Sequence, residues 1–286
     1  MYRVVRFGVF TYTLALMVSA LPQVFFAPAA YAADLFVDKR ELVILQATDP
    51  EPVYAEKLET VELGKDMPAD KTTYQTLLAS VKEIARKSKA NIVKINQQKA
   101  RSKANICDHM VVTLYKAENP KAYETQFSWS PERKLDWNDF NGPVQPMSVD
   151  NVAAATFCSI GFETNTVTQD NPTLKVNVFN SFYVKKSWVR AEEKNNDILA
   201  HEQGHFDLCE LYTRKLRERM SGITVDVTTL RTTLRTIYAQ LQKEYQARQQ
   251  LYEEETDHGL VITQQKRWQN MIAHELQQMD KWKEIL

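Results

Sequence analysis

Two histidines four residues apart, with a glutamate after the first, are the residues of this chain best suited by type and spacing to do chemistry: His201-Glu202-Gln203-Gly204-His205. The surrounding pattern is helical. On a helix, positions i and i+4 share one face, so the two imidazoles can converge on one zinc ion while Glu202 stands beside the open coordination position. Zinc brings the pKa of a water held there to about 7, and a neighbouring carboxylate can take its proton and deliver it to a leaving group. Gly204 costs the helix about 1 kcal/mol relative to Ala, which a close approach of neighbouring backbone would justify. A chance coincidence on a solvated face is the bland alternative. Against it, the motif follows an alternating strand pattern and uses two of only five histidines.

A catalytic zinc site needs a third protein donor. The metzincin arrangement would place Gly at position 208 and His at position 211, and Leu208 and Leu211 exclude it. Candidates lie downstream, in Glu244 and in Tyr252-Glu253-Glu254-Glu255-Thr256-Asp257-His258-Gly259. If two long helices form a plain antiparallel hairpin, a rise of ~1.5 Å per residue sets Leu241 to Tyr245 opposite the histidines. That favours Glu244 and leaves His258 roughly 20 Å beyond the site.

The elements that must position these residues follow from periodicity. Helices are expected over about Glu192 to Met220, Thr228 to Glu255 and Thr263 to the C-terminus. Before them, Ala153 to Phe162 and Thr173 to Phe182 read as strands. In the second, Leu174, Val176 and Val178 alternate with Lys175 and Asn177, as in a strand with one buried face. This strand could align an extended substrate by backbone pairing. Further upstream, Glu59 to Leu63, Asn91 to Asn96 and His109 to Tyr115 read as strands, with a helix over Lys71 to Lys87 capped by Asp70. Asp108 and His109 are the only metal-capable pair of this unit and read as structural. Glu118 to Glu124, with Pro120, reads as a linker.

At the N-terminus, Arg3 and Arg6 precede an apolar run from Phe7 to Phe26 and a small-residue stretch with Ala30 and Ala32 flanking Tyr31. This is the pattern of a signal peptide over residues 1–32, with no stable membrane anchor after cleavage and a periplasmic or secreted destination. The balance of 36 basic and 36 acidic residues offers no electrostatic footprint for nucleic acid and no polybasic membrane patch. An oxidising compartment would allow one disulfide among Cys107, Cys158 and Cys209, and Cys107–Cys158 is preferred because Cys209 sits on the motif helix.

The run Ser187-Trp188-Val189, then His201 to Asp207, then Tyr252 to Gly259 with Gln265 and Trp268, resembles a bacterial family of secreted zinc-dependent proteases, predicted as such and formerly classed as a domain of unknown function. Leu135-Asp136-Trp137-Asn138-Asp139-Phe140-Asn141-Gly142-Pro143 resembles that family's opening motif. The resemblance spans about Phe127 to Ile285. It implies Zn²⁺ as cofactor, Glu202 as general base, and His201, His205 and His258 as metal ligands, against the hairpin arithmetic. Glu253 stands where the family pattern has Asp.

The expected fold is α+β: a small α/β module over residues 34–118, then a zincin-like metallopeptidase domain over 125–286 with strands first and long helices after. The expected function is an exported zinc-dependent peptidase acting on a protein or a cell-wall peptide. The alternative is a non-catalytic envelope binding or assembly module with a structural or vestigial zinc site. Among other residues, Tyr252 reads as core with a hydroxyl that could reach an oxyanion. Trp137, Phe140 and Trp188 read as core or cleft wall, Asp207 and Glu210 as supporting or solvated, and Cys209 as a buried thiol.

Overall fold

The computed structural model describes residues 42–67, 72–103, 105–144, 152–170, 172–223 and 226–283. The signal-peptide pattern, Asp70 and the start of the 34–118 module lie outside them. The architecture is α+β, with strands in the N-terminal half and long helices at the C-terminus.

The first sheet holds β1 (Val43–Leu45), β2 (Glu56–Leu63), β3 (Ile92–Lys99) and β4 (His109–Lys116), in the order β1-β3-β4-β2. Only β1 and β3 run parallel. Helix α1 (Tyr74–Lys87) buries Tyr74, Leu77, Leu78, Val81 and Ala85 on the face that its apolar spacing sets out. Its cap is Thr73, whose hydroxyl accepts from Thr76 N while Thr76 answers Thr73 N, a reciprocal box three residues beyond the expected start. The three-residue β1 was not foreseen, being too short to show a period.

The second sheet runs β5 (Gln126–Phe127), β8 (Val176–Tyr183), β7 (Cys158–Thr164), all antiparallel. A two-stranded ribbon pairs β6 (Ala154–Ala155) with β9 (Trp188–Val189). Strand β8 departs from its one-sided alternation, because residues 177–182 are all buried. One face packs on the long helices, where Val178 and Phe182 join the main core, and Phe179 enters the core of the first sheet on the other. Nor is β8 a free edge for a substrate. It lies between β5 and β7, and beyond the reach of β5 its Val178 carbonyl accepts from Arg217 Nε (3.1 Å) and Nη2 (3.0 Å).

Helices α2 (Asn196–Ser221), α3 (Leu230–Thr256) and α4 (Ile262–Gln278) follow. Asn195 starts α2, its Oδ1 accepting from Ile198 N at 2.9 Å. This helix is central: it packs on β7 and β8 and on both α3 and α4. Fifteen of its residues are therefore buried, including polar ones that an amphipathic helix would show to water. No helix among the described residues is long and apolar enough to cross a membrane.

Candidate metal centre

His201, Glu202 and His205 lie in the first half of α2 and are 1–2% exposed. Helix α3 crosses them and contributes Gln249, Tyr252 and Glu253, all buried. His201 Nε2 and His205 Nε2 point at each other, 3.1 Å apart. Glu253 closes the triangle, with Oε1 3.0 Å from His205 Nε2 and Oε2 3.4 Å from His201 Nε2. Donors at about 2.0–2.1 Å from a tetrahedral zinc stand roughly 3.3 Å from one another, the spacing these atoms already have.

The protons on the two rings follow from their outer partners. Gln249 Nε2 donates to His205 O and to Tyr245 Oη, so its Oε1 must be the atom 2.6 Å from His205 Nδ1, and that nitrogen carries the hydrogen. On the other ring, the Tyr252 hydroxyl donates to His201 O and accepts from Gln265 Nε2. Gln265 Oε1 is left to accept from His201 Nδ1 at 3.1 Å. With Nδ1 protonated on both neutral rings, both Nε2 atoms turn toward the Glu253 carboxylate at one buried point. Glu253 Oε1 accordingly has no hydrogen-bond partner, and neither does Glu202 Oε2. His201, His205 and Glu253 could hold a metal ion at that point. These three residues fit a zinc ion, and among the described residues no fourth protein donor joins them.

Without metal, a proton takes the cation's place. Burial alone would lower the His205 pKa, but the attraction of Glu253 overrides it and lifts it to about 9. Burial would likewise raise Glu253, yet His205, His201 and His258 hold its carboxyl far below the usual carboxylate range.

The close packing around this centre explains the segment from Tyr252 to Gly259. Tyr252 stacks on the His201 ring (centroids 4.8 Å apart, 14° between planes), and its hydroxyl sits where a Cβ on Gly204 would be, 2.2 Å away. The close approach that Gly204 permits is thus by a side chain from α3, not by backbone. Gly259, at φ +85°, lies against the same imidazole from the other side, and a Cβ there would meet it at 2.9 Å. Thr256 Oγ1 donates to Tyr252 O and accepts from Gly259 N. Glu255 accepts from Trp268 Nε1 at 2.9 Å, fastening α4 to α3. Between them, Asp257 (φ 47°) and His258 (φ 56°) precede Gly259 in a left-handed run, a conformation that costs about 1–2 kcal/mol for each residue with a Cβ.

His258 therefore stands outside the three-donor cluster. Its Nδ1 bonds Glu253 Oε2 at 2.7 Å, and its side chain is 30% exposed at the rim. The third member of the cluster is Glu253, a residue of the segment that the sequence offered for the third donor but not the one the family resemblance favoured. Glu244 is elsewhere, paired with Arg219 at 2.6 Å. The helix bounds, Ser221 and Leu230, lie within two residues of those expected, so the hairpin arithmetic ran short chiefly because the way α3 crosses α2 differs from a plain antiparallel hairpin. A signal was present: Tyr245, Gln249, Tyr252, Glu253 and Thr256 recur at helical spacing and form one buried face of α3 with polar members.

Residues 164–259 match the family model of a bacterial protein of unknown function (DUF922). The matched segment takes in β8, β9, α2, α3 and the turn through His258 to Gly259, hence all three donors and Glu202. It leaves out the first sheet and α4, which supplies Gln265. No curated protein and no solved structure matches the chain.

The remaining predicted residues fall as follows. Asp207, partly buried, accepts from Trp129 Nε1 (2.6 Å) and Gln203 Nε2 (2.8 Å), and Glu210 is fully buried against Arg214 and Asn180. Trp188 and Phe140 are buried, and Trp137 packs against Phe140. In the first sheet His109 Nε2 meets Glu62 (2.8 Å), and Asp108 accepts from Arg101 N and Asn105 Nδ2, both structural. All three cysteines are free. The expected Cys107–Cys158 bridge is not formed, because Cys107 belongs to the core of the first sheet and Cys158 packs against that of the helices.

Proposed function

We propose that this chain is an exported zinc-dependent peptidase in which His201, His205 and Glu253 hold the metal and Glu202 is the general base. The observation that carries this reading is the convergence of the buried His201, His205 and Glu253 on one point, on the same turn of α2 as a glutamate whose Oε2 is unpartnered. Two histidines and one carboxylate with an unfilled fourth position are a catalytic zinc set, whereas a structural zinc is closed by four protein ligands.

Zinc supplies a Lewis acid that polarises a carbonyl and acidifies water. The chain's own residues do the rest. Gln265 and Gln249 fix the tautomers of His201 and His205, presenting both Nε2 lone pairs inward. His258 holds Glu253 by its outer oxygen. Glu202 Oε2, unengaged, is the atom that takes a proton from the attacking water and passes it to the leaving amine. The apolar Leu260, Val261 and Ile262, each about two-fifths exposed and following directly on the rim turn, offer a surface for an apolar substrate side chain. A protein or a cell-wall peptide is the substrate class, and the leader pattern of residues 1–32 supports an envelope or extracellular setting.

Elemental analysis of the purified chain and two variants tests the ligand set. One zinc per chain is expected in the wild type and none in Glu253→Ala. His258→Ala, acting through Glu253, should retain zinc with 10–100-fold weaker affinity in chelator competition. Full zinc in Glu253→Ala together with none in His258→Ala would return the third ligand to His258. A wild type without zinc would overturn the reading.

A further inference from the structure

We propose that Cys158 and Cys209 are a disulfide site that pins β7 to α2 behind the metal centre. The inference stands on cysteine geometry and is independent of whether zinc binds. Cys158 opens β7, and Cys209 lies one helical turn after His205 on α2. Cys158 Sγ lies 3.3 Å from the Tyr245 hydroxyl and 3.9 Å from His205 O, the carbonyl one helical turn before Cys209 on α2. Cys209 Sγ in turn lies 3.6 Å from the carbonyl oxygen of Ser159, the residue that follows Cys158, so each thiol lies against the backbone beside the other cysteine at the strand–helix contact. Cys107 has no comparable partner: it donates to His109 O in a different core, where burial pushes its thiol up to about 11. Three cysteines thus divide into one facing pair and one remote thiol.

The two members of the pair are unequal in access, which sets the order of bond formation. Cys158 is partly exposed and Cys209 fully buried. The Cys158 thiolate attacks the disulfide of an oxidised thiol compound, forming a mixed disulfide and releasing one thiol. The Cys209 thiolate then attacks Cys158 Sγ and expels the second. Two protons leave the chain, two electrons pass to the oxidant, and one intramolecular S–S bond forms. The bond would close the chain from β7 through β8 to the middle of α2, constraining the unfolded state across the metal-site half of the molecule.

The test uses the full purified chain, reduced and then incubated natively with oxidised glutathione, alkylated in denaturant without reductant, digested and analysed by mass spectrometry. The expected result is a linked pair of peptides carrying Cys158 and Cys209, with Cys107 alkylated alone. Thermal unfolding of the same material should fall by about 5–15 °C on reduction. Cys209→Ser should show no reduction-dependent shift while retaining an alkylatable Cys158. Three alkylated cysteines after oxidation, or a bridge that includes Cys107, would overturn the proposal. Failure of the zinc assignment would leave this map unchanged.

Discussion

The first sheet and the α2–α3 crossing both bury charge, and they treat it in opposite ways. In the sheet, the ammonium of Lys94, 3% exposed, donates to Gln46 O at 2.6 Å and Ala47 O at 3.0 Å, and Asp108 receives Arg101 N and Asn105 Nδ2. Each of these charges is answered by nearby groups of opposite polarity, as a purely structural buried charge must be. At the crossing, His201, His205 and Glu253 turn acceptors toward one another, while their outer atoms are held by glutamines and His258. Held from outside and converging within, that arrangement could hold a cation, the basis of the proposed zinc site.

The largest expected effect separates chemistry from metal binding. Glu202→Gln should lower kcat for a cleaved peptide by about 10²–10⁴-fold while leaving zinc content unchanged. A variant as active as the wild type would put the crossing on the same structural footing as the sheet.

The next effect concerns what fills the site when metal is absent. His205, raised to about 9 in the fold against about 6.5 unfolded, contributes stability that is fully present below pH ~6.5 and lost as pH rises through 9. Glu253, depressed in the fold, contributes stability present above pH ~4.3 and lost as pH falls toward its folded value. Metal-free protein should therefore be most stable between about pH 5 and 6.5 and lose on the order of 3 kcal/mol by pH 9. Saturating zinc should abolish that alkaline decline. At pH 7, zinc binding should release about one proton, read from the dependence of the calorimetric enthalpy on buffer ionisation.

A smaller effect tests the packing under the site. Gly204→Ala should destabilise by about 1–3 kcal/mol in denaturant unfolding, because its methyl would collide with Tyr252 Oη. In a double-mutant cycle with Tyr252→Phe, which removes that oxygen, the two costs should be less than additive. Strict additivity would mean that the tyrosine does not set the glycine.

Glu244→Gln breaks a partly exposed pair with Arg219 and should change stability by less than ~1 kcal/mol, with zinc content unmoved.

Much of the fold was legible because local pattern and final environment agree. The face of α1 with Tyr74, Leu77, Leu78 and Val81 is the face that is buried. Helices α2 and α3 lie within four residues of their expected bounds, and α4 starts where expected but ends at Gln278 instead of running on to the C-terminus. Strand β8 was legible as a strand but not as one buried on both sides, since its second cover comes from a sheet distant in sequence. In the site, His201 and His205 could be paired from their spacing alone. Glu253 could not be chosen over Glu244, Glu255 or His258, because the choice depends on the register between two helices joined by an irregular connection.

The sequence by itself determined that two imidazoles and a glutamate share one stretch of helix, because a 3.6-residue repeat is a property of the local chain. Tertiary structure decided which carboxylate completes the set, which ring nitrogens face inward, and which cysteines meet. Those outcomes depend on how α3 crosses α2 and how β7 lies on it, and contacts between distant segments leave no period in the chain to read.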